Sequence, residues 1–203
     1  MKLKYPINLH KGATAAVVLA MMAAYQNFSA AVWIYLALHG SYGLLWLLKD
    51  SLFPDKQWEQ PVSAGYAVFV FVALGLYWLA PWVLISGHRD PAPVVMAAVV
   101  AMNMFGVMLH FGSDAQKYFT LKYKPGLITE GFFARCRNTN YLGELLIYGG
   151  FALMADHWMG FIGIVVFFVG AFVPNMFKKE KSLARFPEFE AHRKKSGFLL
   201  PRW

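Results

Sequence analysis

Charged positions are spaced so unevenly along the chain that they divide it into apolar stretches. No charged residue falls between Lys11 and Lys49, Glu59 and Arg89, Asp90 and Asp114, Glu144 and Asp156, or Asp156 and Lys178. A hydrocarbon core about 30 Å thick is crossed by roughly 20 apolar residues in a helix, and four of these five stretches reach that length. The first runs 37 residues, Gly12 to Leu48, too long for one crossing. Gln26-Asn27-Phe28-Ser29 interrupts it, with Ser29 placed to cap a second helix. The pattern predicts helices near Gly12–Tyr25, Ala30–Leu48, Val62–Ile85, Val94–Gly112, Tyr141–Ala155 and Trp158–Phe177, with Pro81 bending the last turn of the third.

Composition narrows the class. The chain is 58% hydrophobic and 15% charged, where a soluble domain carries roughly a quarter charged residues. One cysteine, Cys136, excludes a disulfide scaffold. An all-α integral membrane protein of about six transmembrane helices in a single domain, 1–203, remains. Residues 1–25 have the outline of a signal peptide, a basic start before an apolar run; the expectation is that they are kept as the first helix.

Charge sets the expected orientation. With the N-terminus inside, 18 of the 19 basic residues lie on the inner side and Arg89 alone lies outside, which is the positive-inside pattern for an N-in, C-in chain. The expected outer loops are short. Two longer polar segments, Ser113–Asn140 and Lys178–Trp203, face the cytosol, and any chemistry at the surface belongs there.

The first of these segments carries Asp114, Lys117, Lys122, Lys124, Arg135 and Arg137, with Pro125-Gly126 and Gly131 as turn residues. Attraction to anionic lipid headgroups would account for its bases, at about 1 kcal/mol each. Their interleaving with Asp114, Gln116, Asn138 and Asn140 suits the phosphates and ribose of a nucleotide better. Asn140, Glu144 and Tyr148 then follow at helical spacing, as do Tyr141, Glu144 and Tyr148. Glu144 lies one turn inside an apolar helix, where a carboxylate is a functional candidate by default; an ion pair with Arg135, Arg137 or Lys117 is the plainer role. In the second helix Tyr35, His39 and Tyr42 share a face. His39 and Tyr42 are the candidate proton donors to a substrate oxygen. No His, Cys and carboxylate set has metal-ligand spacing, and no nucleic-acid or protein partner is indicated.

Residues 113–155 and the tail resemble the C-terminal domain of the steroid 5α-reductase and sterol reductase superfamily, which also includes isoprenylcysteine carboxyl methyltransferases. The resemblance rests on Ser113-Asp114, Gly126-Leu127 with Gly131-Phe132-Phe133, Arg137-x-x-Asn140-Tyr141-x-Gly143-Glu144, and Arg185-Phe186-Pro187 with Arg193-Lys194 and Leu200-Pro201. It implies an NADPH site without a Rossmann fold, in the part after residue 110, with the first four helices on the substrate side. Carried over, Asp114, Asn140, Tyr141 and Glu144 would meet the cofactor, and Lys117, Lys122, Lys124, Arg135, Arg137, Lys178 and Lys179 would hold phosphates. The activity implied is reduction of an activated C=C bond in a lipophilic, sterol-like substrate. Two departures stand out. The reductases' His and Tyr contacts after the last helix are replaced by Phe177-Lys178-Lys179-Glu180. Glu180-x-x-Leu183 resembles the methyltransferase branch, for which S-adenosylmethionine would be the cofactor.

Overall fold

A computed structural model describes all residues, Met1–Trp203. The chain is all helical: α1 (Lys4–Tyr25), α2 (Ala30–Leu52), α3 (Ala64–Leu74), α4 (Leu79–Ser86), α5 (Pro93–Tyr123), α6 (Thr139–Met154), α7 (Ile162–Phe167), α8 (Val173–Leu183) and α9 (Phe189–Lys195). Helices α3 and α4 run on through a 3₁₀ turn as one rod, and α7 and α8 run on through a π turn at Phe168–Phe172. Both irregularities have a proline cause. Pro81 and Pro174 lack the N–H that would bond the carbonyl four residues back, and each break lies in that preceding turn.

Five rods are long and apolar enough to cross a membrane: Lys4–Tyr25, Ala30–Leu52, Ala64–Ser86, Pro93–Tyr123 and Trp158–Leu183. The sixth expected span, α6, has 16 residues, about 24 Å at 1.5 Å per residue, and is the short central rod of the bundle. Buried and exposed faces are inverted relative to a soluble helix. In α1, Lys11 and Thr14 are buried while Leu9 and Leu19 are exposed; in α5, Asn103, His110, Ser113 and Asp114 are buried while Met104, Phe105 and Met108 are exposed. With hydrocarbon as solvent, polar groups turn inward to find partners and the apolar face meets lipid.

Helices α5 and α6 pack most closely. A Cβ at Gly143 would stand 2.6 Å from the Gly106 carbonyl oxygen and from the His110 nitrogen, so these backbones touch as small residues allow in membrane bundles.

Two sequence expectations are corrected. Helix α1 begins at Lys4, not near Gly12, so Lys11 is a buried helix residue and not a loop charge. Helix α5 continues through Tyr123, which puts Asp114, Gln116, Lys117 and Lys122 on a helix and not in turns. The helix simply outlasts its apolar stretch. Ser29 does occupy the N-cap of α2, without a side-chain cap bond.

Candidate functional site

One end of the bundle gathers the N-terminus, residues 53–63, the end of α5, residues 124–138 and the tail. Lys2 pairs with Pro61 in an isolated bridge, and Cys136 with Gly197. Gln116 pins the 130–132 turn, donating to the Glu130 carbonyl at 3.1 Å and accepting from the Phe132 N–H at 2.9 Å. Gly131 takes φ +57° there, where any Cβ would strike the Gln116 amide.

Between these segments lies a cavity of about 800 Å³, within the range of about 300–1,000 Å³ usual for ligand sites. Asp114, Lys117, Arg137, Asn140, Tyr141, Lys178 and Lys179 line it, together with Asp55, Asn175, Arg185 and His192. Lys122 lies instead on a neighbouring cavity. Lys124 and Arg135 are exposed and line neither cavity. Glu144 lies one turn deeper than Asn140 and is outside both walls. Asp55, Asn175 and His192 come from segments that gave no local signal; Arg185 was visible only as part of a motif.

The charges divide into engaged and free. Arg137 is engaged throughout: it forks onto Glu180 (2.8 and 2.9 Å) and donates to the Ser196 carbonyl and to Ser196 Oγ. This bidentate pair ties residues 135–138, α8 and the tail together. Lys179 Nζ donates to the Arg137 carbonyl at 2.5 Å. Lys117 lies 2.8 Å from Asp55 and 3.9 Å from Asp114, whose other oxygen accepts from Lys49 at 2.7 Å. Lys178 and Arg185 have no carboxylate partner. Asn140 Oδ1 is buried and unpartnered on the wall. His192, 7% exposed, has its pKa lowered by burial and then by the Arg137 guanidinium.

A polar column runs from this cavity into the bundle. On α6, Asn140, Glu144 and Tyr148 succeed one another at intervals of four, about 6 Å apart along the axis. Glu144 Oε1 lies 3.7 Å from His110 Nε2. Below it, the Lys11 ammonium donates to the phenol oxygens of Tyr148 and, at 3.4 Å, Tyr42. It also lies 4.5–5.9 Å from the ring centroids of Tyr42, Trp46, Tyr77 and Tyr148. No carboxylate approaches within ion-pair distance of Lys11; aromatic faces and phenols surround its charge, and the Glu144 carboxylate higher in the column acts on it as the opposite charge.

Tyr42 is thus beside a cation inside the core. His39 is separate from that cation's bonds: it stacks on Phe151 with centroids 4.2 Å apart, and its Nδ1 lies 2.9 Å from Tyr35 Oη. Neither residue lines the large cavity. Lys11 is a further residue that sequence reasoning missed, because polar neighbours hid the start of its helix.

Fold and cavity define an all-helical integral membrane protein with a polar cavity at its basic end. The chain belongs to the family described as Protein of unknown function (DUF1295), whose profile matches residues 50–196; that family falls in the steroid 5α-reductase-like group. No curated protein and no solved structure matches the chain.

Proposed function

We propose that the protein is a membrane-embedded, NADPH-dependent reductase of an activated C=C bond in a lipophilic, sterol-like substrate, with its cofactor cavity on the cytosolic side. The observation that carries this reading is the composition of the large cavity. Lys178 and Arg185 are cations without carboxylate partners near its mouth, and the buried, unpartnered Asn140 Oδ1 lies on its wall. Phosphates suit the cations, and a carboxamide N–H suits the orphan oxygen.

A reduced nicotinamide nucleotide supplies a hydride when bound. The chain's own residues supply the rest. Lys178 and Arg185 bind phosphate, and Asn140 orients the amide end. Tyr42 delivers a proton to the substrate oxygen, and the adjacent Lys11 ammonium stabilises the negative charge left on the phenol oxygen. The apolar bundle excludes water from the reacting bond. Lipophilic substrates reach such a site from the bilayer.

The runner-up is methyl transfer from S-adenosylmethionine. Asp55 and Asp114 on the same wall favour it, since carboxylates suit a ribose diol and a sulfonium. The test is to follow nicotinamide absorbance with purified protein in micelles and a panel of lipophilic unsaturated ketones. The wild type should consume NADPH, and Tyr42→Phe should retain nucleotide binding while losing at least about tenfold in turnover. Transfer of a labelled methyl group without NADPH consumption would favour the runner-up.

A further inference from the structure

A second cavity, about 400 Å³, adjoins the first across the wall formed by Asp55, Asp114, Lys117 and Leu121. It lies between the end of α2 and the last two turns of α5, and nothing in the proposed reaction uses it. Four lysines line it: Lys49, Lys56, Lys117 and Lys122. Two of them are neutralised, Lys49 by Asp114 at 2.7 Å and Lys117 by Asp55 at 2.8 Å. Lys56 and Lys122 have no carboxylate partner. Their cavity therefore keeps two uncompensated ammoniums beside the apolar walls of Phe53, Tyr118 and Leu121.

Its position explains that mixture. The lipid-facing strip of α2, with Leu44, Leu48 and Leu52 exposed, ends beside the cavity, and Phe119 and Tyr123 stand exposed on α5 next to it. Aromatic side chains at the end of an apolar strip mark the membrane–water interface. A ligand here has its polar end against two lysines and its apolar part along α2. A free anion would use only half of that surface.

We infer that this cavity binds the anionic headgroup, phosphate or carboxylate, of an amphiphile drawn from the bilayer leaflet on the basic side. Lys56 and Lys122 hold the charge, and Phe53, Tyr118 and Leu121 hold the first part of the chain. The neutralised lysines keep the wall toward the nucleotide cavity intact.

Native mass spectrometry of the full chain in detergent tests this, with short-chain phosphatidylglycerol and phosphatidylcholine of equal chain length as probes. The wild type should retain phosphatidylglycerol at least about tenfold more tightly. Lys56→Gln/Lys122→Gln should remove most of that preference. Lys181→Gln/Lys194→Gln, which deletes the same charge from exposed positions outside the cavity, should preserve it. All four lysines are exposed, so the variants fold; an unshifted melting curve verifies it. Equal retention of the two lipids would overturn the inference, as would equal loss in the two double variants, which is the signature of diffuse attraction. Displacement by inorganic phosphate at the lipid's own concentration would also overturn it, because the site would then be one for free anions.

Discussion

The basic-end cavity and the buried column beneath it handle charge in opposite ways. At the cavity, carboxylates answer most of the cations: Arg137 with Glu180, Lys49 with Asp114, Lys117 with Asp55. In the core Lys11 has no such partner, and four aromatic rings and two phenols stand in for one. A paired charge that holds segments together is structural. A buried charge held by aromatic rings and phenols, with its opposite charge on Glu144 beyond contact distance, is costly to keep for structure alone, and it points to chemistry.

The largest expected effect breaks the paired side. Arg137→Ala leaves Glu180 unpaired and frees the tail from Ser196, so the melting temperature in detergent should fall by the equivalent of about 3–5 kcal/mol. Arg137→Lys should recover only part of this, because an ammonium cannot form the fork. An unshifted melting curve for Arg137→Ala would mean that the tail is held by something else.

The unpaired side should respond with a different sign. Lys11→Met removes a buried cation that has no carboxylate in contact, substitutes an apolar chain of similar length, and leaves Lys49 as the cation acting on Glu144. Stability should stay within about 1 kcal/mol or rise, while NADPH-dependent turnover falls and nucleotide binding holds. A strongly destabilised Lys11→Met would reduce the ammonium to a packing element.

A smaller effect concerns pH. His192 binds its proton less readily folded than unfolded, because burial and Arg137 disfavour the charged ring. The unfolded chain therefore takes up more protons below about pH 6.5, and stability should drop as pH falls through that range. His192→Gln should show a shallower decline in melting temperature between about pH 7.5 and 5.5. Equal slopes for the two proteins would remove His192 from the pH response of stability.

These regions also differ in how far the sequence reveals them. The helical periodicity that places Tyr35, His39 and Tyr42 on one face of α2, and Asn140, Glu144 and Tyr148 on one face of α6, is local and legible; the first three are all buried. Helix ends were less so, because charge marks the edge of the membrane and not the end of a helix. That is why α5 ran on past Gly112, and why Lys11 fell outside the expected α1. The pairing of Arg137 with Glu180, across 43 residues, leaves no local trace. It turned an expected phosphate ligand into an engaged one and left Lys178 and Arg185 as the free cations.

The proposed function requires the large cavity to take a phosphate-bearing nicotinamide nucleotide. Equilibrium titration of the purified full chain with NADPH, NADH and S-adenosylmethionine, at low and high salt, tests it most directly. NADPH should bind most tightly and weaken as salt rises, and Lys178→Gln/Arg185→Gln should lose about tenfold or more, as for charge-assisted bonds worth about 1.5–3 kcal/mol. Tight binding of S-adenosylmethionine with none of NADPH, or NADPH affinity unchanged in the double variant, would contradict a nicotinamide nucleotide site in this cavity.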